Sequence, residues 1–558
     1  MNPLRSLLVA TTLWTYAPFA LHAQEPVWFK HYANGGQNSG MRLCWDGEDG
    51  LFGIGTLHGD ATLDGTEVSV VGSEDILIVR WDSTGNIVWA RTAGGDCEPG
   101  DTDGGGDIHY EPMSARLITT GYFTCPQSNF GTQILNGSGA LSGIQDAFLA
   151  SYDIDGECQW ARRITASPNL WLTSTVTDAD GNIFLLGNGE TAGATFYGAS
   201  IVSVPPGGFL AKYSSDGTLI HAERILVNGT PWGTVWADTD EWYLFGSAKP
   251  GAALYSQNLA AVATSGDGFV ARVDTAGAIQ WVTMLHSSIS AAVLGSVVLP
   301  DGSCVVRGHY RGDLTLPSGT LTGSPSLTNS FIARLDSQGE VQWAVKIGAT
   351  GRALVYDIEA DTNFDLLIYG RFEGDLQIGQ TSVSSAGSKC GLLCRLGSDG
   401  SLKAATTFAR VPYGTGSVLS TNHGCYLSSE FDSTMTLGTT VIQGSAPASG
   451  DDLFLARFDS LSGFTNVPTA MALQGGGLVI YANPNEGRAT VALPKGLAPG
   501  SSLRLVVRDA QGLLVQEVPF IVSERGTVQL DISAQAKGVY HVELADGKQR
   551  HSGKIVFE

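Results

Sequence analysis

The sequence predicts an all-β protein, a seven-bladed β-propeller closed by an N-terminal strand and followed by a small C-terminal β-sandwich. Three observations predict it. An apolar strand, most often ending in a basic residue, recurs seven times along the chain. A turn glycine, usually followed by a strand carrying Trp, recurs at a nearly fixed step. The strand that the last repeat lacks stands at the opposite end of the chain.

The seven strands are residues 76–80, 148–152, 209–213, 269–273, 331–335, 391–395 and 454–458. In the first six units a glycine follows in the turn: Gly85, Gly156, Gly217, Gly277, Gly339 and Gly400. The steps are 71, 61, 60, 62 and 61 residues, so the first interval carries about ten extra residues. Period-2 alternation makes these segments strands, and the Asp/Ser-x-x-Gly turns make hairpins of them. A second hairpin lies upstream in the unit, as at 178–187, 301–308 and 361–370, so each unit holds four short strands.

After the turn come Trp89, Trp160, Trp281 and Trp343, with His221 and Lys403 at that place in two weaker units. The seventh unit dissolves after Ser460, but Val27-Trp28-Phe29-Lys30 supplies a spare copy near the N-terminus. If that copy completes the seventh unit, no sheet edge stays open. An open β-solenoid, the alternative, has no use for a donor from the other end.

Residues 1–23 read as a signal peptide: Arg5, an apolar run over 7–20, and Leu21-His22-Ala23 before a mature start near Gln24. The run is too short to span a bilayer, and no later stretch makes a transmembrane segment. Lys+Arg number 32 against 54 Asp+Glu, a net charge of −22, which excludes the basic face of a nucleic-acid binder and a polybasic membrane contact. The eight cysteines form no CxxC pair. Cys390 and Cys394, four apart on one strand, read as core fillers.

The D-x-F-[LIV]-A-R core and the D-x-x-G-x-x-x-W turn resemble the seven-bladed propeller repeats of many bacterial extracellular proteins. This resemblance covers residues 24–464 and concerns architecture. A linker follows at 465–477, with Gln474-Gly-Gly-Gly477, and then a seven-strand sandwich at 478–558.

The sandwich carries a functional resemblance. Tyr481-Ala-Asn483-Pro484-Asn-Glu-Gly487, Leu505 to Val515 with Asp509 and Gly512, and Asp531-Ile-Ser533 followed by Gly538-Val-Tyr540 come in order. They are similar to the motifs of the C-terminal sorting domain of the Bacteroidetes type IX secretion system. Two departures stand out: Ala482 replaces a Pro, and Glu558 ends the chain where a Lys is common. The resemblance implies the type IX machinery as partner and an extracellular or outer-surface location.

Catalytic motifs are missing: there is no HExxH and no G-x-S-x-G. The acidic Gly-rich stretch 94–107 offers Asp96, Asp101, Asp103 and Asp107, a set that reads either as a Ca²⁺ site or as a solvated loop. No motif requires another cofactor. Asp153-Ile-Asp155-Gly156 and Asp178-Ala-Asp180-Gly181 fall on the repeat's turns, where Asp and Gly serve geometry. Trp171 and Trp232 are expected in loops of a binding face, where an exposed ring stacks on sugar or peptide, with rim packing as the other reading. The expectation is therefore a secreted binding protein for an extracellular glycan or protein. The alternative is a hydrolase or lyase with carboxylates converging on the propeller channel.

Overall fold

The computed structural model describes residues 26–459 and 479–557 apart from 33–38, 97–101, 139–144, 166–169, 190–192, 198–200, 239, 384–388, 409–410, 412–415, 433, 438–439, 445–450, 482–486, 494–501, 509–513, 523–526 and 546–549. Residues 1–23 and the linker lie outside the described residues. Every regular element among the described residues is a strand, and every paired sheet is antiparallel. Two compact units result, Leu21–Val467 and a C-terminal unit containing Pro468–Glu558.

Among the described residues of the larger unit a four-strand meander recurs seven times. The first strands of the seven sheets are β1 (Arg42–Trp45), β2 (Gly104–Glu111), β3 (Leu170–Thr177), β4 (Leu219–Trp236), β5 (Ser290–Val298), β6 (Ala353–Ala360) and β7 (Gly416–Thr421). β4 serves twice. Up to Leu226 it is the fourth strand of the third sheet, and from Gly229 it is the first strand of the fourth. The seventh sheet takes its fourth strand from the N-terminus, where Trp28–Tyr32 pairs with Asp452–Phe458 in the register Trp28↔Arg457 to Tyr32↔Leu453.

Apolar side chains alternate along these strands and bury their rows against the next sheet. One cluster joins each successive pair, as Phe52, Ile78 and Trp89 with Phe123 and Phe148 between the first two. The seventh joins Leu77, Val79 and Trp81 of the first sheet to Tyr32, Tyr426 and Leu455 of the last. Within it the Trp81 indole donates to the Tyr32 hydroxyl at 2.8 Å, both groups buried.

The repeated Trp and Gly are partners across sheets. A Cβ on Gly156 would stand 2.9 Å from the Trp89 ring, and the same overlap recurs for Gly217 with Trp160, Gly339 with Trp281 and Gly400 with Trp343. Gly156 also has φ +84°, which a side chain resists. The indoles donate to turn carbonyls of the next unit, Trp89 to Ile154 at 2.8 Å and Trp281 to Ser337 at 2.9 Å. The basic residue of the repeat does likewise: Arg80 donates to Ile154 at 3.0 Å and Arg334 to Ser398 at 2.9 Å. From the last sheet, Trp28 stacks on Gly85 and Arg457 donates to the Ser83 carbonyl at 3.2 Å. In the weaker unit Tyr255 takes the place over Gly277 where His221 stood in the sequence pattern.

Small hairpins, absent from the sequence reading, fasten neighbouring repeats. Ala194–Phe196 and Val202–Val204 extend the fourth strand Cys158–Thr165 of the preceding sheet, and Leu376–Ile378 extends Val341–Ala349. Cys390 and Cys394 are buried and packed in the core.

The C-terminal unit has a three-stranded sheet (Val479–Tyr481, Arg488–Ala492, Thr527–Asp531) and a four-stranded one (Ser502–Arg508, Leu514–Ile521, Gly538–Ala545, Arg550–Phe557). Val491, Leu505, Val507, Leu530, Val542 and Ile555 fill its core.

Candidate functional site at the first strands

The first strands neighbour one another in succession, β1 beside β2 through to β7, and β7 beside β1. Five of them carry a bulge at the same level, whose extra residues are Gly106, Thr173, Trp232, Leu294 and Tyr356. A bulge inserts one unpaired residue and re-aims the side chain that follows. Here the following residues are Asp107, Ser174, Gly233, Gly295 and Asp357.

Three of these re-aimed side chains, together with Ser417 of β7, stitch one first strand to the next. Asp107 accepts from the Thr175 amide. Ser174 Oγ accepts from Thr234 N at 3.4 Å, Asp357 Oδ2 from Val418 N at 3.0 Å, and Ser417 Oγ from Leu43 N at 3.0 Å. Gly295 has no side chain, and Arg307 crosses above it to donate to the Val355 carbonyl at 3.1 Å. His309 Nε2 meets the same carbonyl at 3.1 Å, and His109 Nε2 lies 2.9 Å from Thr177 Oγ1. Arg42 completes the group, 3.6 Å from Asp357.

Burial sets the electrostatics. It pushes the His309 imidazole down to about 4, with Arg307 adding to the effect, and lowers His109. It raises Asp107 against the pull of Arg42. Burial, and then the charge of Asp357, push Glu359 up to about 8. Glu359 sits two residues beyond Asp357 on β6 and has no hydrogen-bond or ion partner among the described residues. No sequence motif marked it.

The sign of its pH effect follows. Folded, Glu359 keeps its proton to about pH 8, whereas the unfolded chain releases it near 4.5. Its contribution to stability is therefore complete below pH 4.5 and lost as pH rises through 8. Glu359→Gln is expected to be more stable than the wild type at pH 8, by an amount on the order of a few kcal/mol, and equal to it at pH 4. Urea denaturation at the two pH values reads the difference.

The structure separates the acidic stretch. Asp96 is exposed and Asp101 lies outside the described residues. Asp103 is wholly buried and accepts from Thr124 N at 3.0 Å and Ser128 Oγ at 3.2 Å. Burial pushes Asp103 up to about 7 and the nearby Asp75 up to about 6. Asp107 belongs to β2 and the stitching described above. Among the described residues no group of three His, Cys, Asp or Glu side chains is arranged to hold a metal ion. Asp153 and Asp178 cap their turns, Asp178 taking Asp180 N at 3.1 Å and Asn182 N at 2.8 Å.

Trp171 and Trp232 stand in strands β3 and β4 rather than in loops. They differ. Trp171 is 41% exposed. Trp232 is the bulge residue of β4, packs against the cluster of Tyr243, Phe245 and Val293, and donates to Ser247 Oγ at 3.3 Å.

In the C-terminal unit the motif residues hold turns. Gly487, at φ +90°, lies against the Ser533 backbone, where a Cβ would come within 2.6 Å, and its carbonyl accepts from Ile532 N at 2.7 Å. Asp531 accepts from Ser533 N at 3.0 Å. Gly538 opens its strand and buried Tyr540 donates to the Ala536 carbonyl. Asn483, Pro484, Asp509 and Gly512 lie outside the described residues.

Residues 479–558 match the family of the secretion system C-terminal sorting domain. The chain is type IX secretion cargo. This cargo is carried to the extracellular space or the outer cell surface, and its sorting domain implies contact with the secretion machinery. No helix among the described residues is long and apolar enough to cross a membrane.

The cargo also has relatives over part of its length. It is 27% identical over 221 residues to the regulatory protein FlaEY of Caulobacter vibrioides, covering 36% of this chain and 23% of that protein. It is 22% identical over 219 residues to an uncharacterized WD repeat-containing protein of Acanthamoeba polyphaga mimivirus, covering 38% and 12%. The cargo thus spans less than a quarter of the length of these relatives. Among solved structures, E. coli alpha-2-macroglobulin in its native conformation aligns with 95% of this chain and 46% of that one, at 10% identity and a TM-score of 0.12.

Proposed function

We propose that the chain is a secreted seven-bladed β-propeller that binds an extracellular glycan or protein through the face bearing Trp171. The seven meanders support the propeller reading, as do the cluster joining the last sheet to the first and the Trp28–Gly85 contact. The WD-repeat name of one relative points the same way. In this reading residues 24–464 are the propeller, 465–477 a linker and 478–558 the sorting sandwich.

Binding rather than catalysis is favoured by one observation. Asp107 and Asp357, two carboxylates of the first strands, are committed to backbone amides of the neighbouring sheets. That leaves Trp171 as an exposed aromatic on a rigid strand, the kind of surface on which a sugar ring or peptide stacks. Trp171→Ala is expected to weaken binding to the target identified on a glycan array or by surface pull-down at least about tenfold, with an unchanged melting temperature. Trp232→Ala is expected to do the reverse, costing about 3 kcal/mol of stability. Equal binding by Trp171→Ala would remove that residue from the site.

One observation favours a hydrolase or lyase. Glu359 stays protonated near neutrality beside Asp357, the pairing that general acid catalysis uses. Activity on extracellular polymers that disappears in Glu359→Gln, with the fold intact, would establish it.

A further inference from the structure

The aspartate that opens the third strand of a sheet has a basic side chain against it in three of the repeats. Asp146 meets Arg163 at 3.1 Å, Asp267 meets His286 at 3.1 Å, and Asp452 meets His31 at 2.8 Å. In each pair the base comes from the fourth strand of the same sheet. The first sheet departs from this rule. Beside Asp75 stands Gly94, and across from it a second carboxylate, Asp103.

The two carboxylates converge. A Cβ on Gly94 would lie 2.1 Å from Asp75 Oδ1 and 3.1 Å from Asp103 Oδ2. Both residues are buried, at 1% and 0% exposure. Asp75 Oδ2 accepts from Val71 N at 2.9 Å, but the buried Oδ1, on the Gly94 side, has no hydrogen-bond partner among the described residues. Neither residue has a cationic partner among the described residues. Cys125 is disulfide-bonded, so its sulfur, 3.3 Å from Asp103 Oδ2, offers neither a proton nor a thiolate. Ser128 Oγ, 3.2 Å from the same oxygen, adds a neutral oxygen donor.

Adjacent buried carboxylates are relieved by a positive charge between them, a shared proton or a cation. With oxygen donors only, a cation that takes this place is hard, because soft metals select thiolate and imidazole. We propose that Asp75, Asp103 and the Ser128 hydroxyl form a binding site for a calcium-type divalent cation at the junction of the first and second sheets. Two carboxylates leave most of the coordination sphere to hydroxyl, carbonyl and water, the weak regime of extracellular calcium modules, with Kd on the order of 10⁻⁴ to 10⁻³ M. The cation takes in the first sheet the place that the Arg163 guanidinium takes beside Asp146 in the second.

The test is calorimetric titration of the full chain with CaCl2 after stripping with EGTA, alongside thermal unfolding in CaCl2 and in EGTA. The expected result is a single saturable site and a melting temperature that rises with calcium. Asp75→Asn and Asp103→Asn should each weaken the site at least about tenfold. In EGTA neither variant should be less stable than the wild type, because each loses an uncompensated charge. Asp267→Asn, in a sheet with its own base, should bind calcium as the wild type does. A wild-type chain with no heat of binding and no calcium-dependent melting shift would overturn the proposal and leave a shared proton as the neutralising charge. So would calcium affinity unchanged in Asp75→Asn.

Discussion

Deletion of residues 479–558 is expected to abolish export, leaving the larger unit in the periplasm and its amount in the medium and on the outer surface near zero. The basis is the match of this segment to the sorting domain together with the folded unit it forms. Fractionation with an antibody against the larger unit reads the outcome. Point changes sort by their place in that unit. Gly487→Val forces a side chain into the Ser533 backbone at a positive φ, and should reduce export by unfolding the sandwich. Arg504→Ala removes an exposed pair with Glu517 and should leave export unchanged. Normal export of the truncated chain would show that the segment is not the address.

The second large effect concerns the other end of the chain. Deleting residues 24–32 removes the fourth strand of the seventh sheet and with it the pairing to Asp452–Phe458. It also removes Tyr32 from the cluster between the last and first sheets, Trp28 from its place on Gly85, and the Lys30–Asp64 ion pair at 2.8 Å. The loss of a buried aromatic alone costs about 3–5 kcal/mol, and the exposed strand edge invites association. The truncated chain should melt far below the wild type and aggregate on heating. Tyr32→Phe, which strips only the hydroxyl that accepts from Trp81, should cost about 1–2 kcal/mol.

Much of this was legible in the sequence. The D-x-F-[LIV]-A-R strands, the turn glycines and the displaced Trp28 strand each have a local signature of alternation, turn chemistry or spacing, and the strands follow it. The partners were not legible. Trp89 packs on Gly156, and Arg80 donates to Ile154, one repeat away in sequence. Such a contact follows from sheet stacking, which period-2 reading along one strand does not contain.

The bulges explain the misplaced tryptophans. One extra residue in β3 and β4 shifts the alternation, so the local pattern around Trp171 and Trp232 reads as loop when both are strand. The same shift hid the stitching role of Asp107, which in sequence belonged with Asp96, Asp101 and Asp103. Asp75 escaped notice because it is an ordinary repeat residue. Only the missing base beside it, a fact of three dimensions, sets it apart.

The central claim is that the chain closes on itself, its N-terminal strand completing the seventh sheet of the larger unit. Amide hydrogen exchange along Asp452–Phe458 in the full chain tests it most directly. In an antiparallel strand alternate amides bond to the two neighbours. The account predicts that both sets are protected as strongly as those of Asn329–Leu335, which lies between two partner strands of the fifth sheet. Slow exchange only for the amides facing Gly424–Phe431, with fast exchange for those facing Trp28–Tyr32, would contradict closure and leave an open array of sheets.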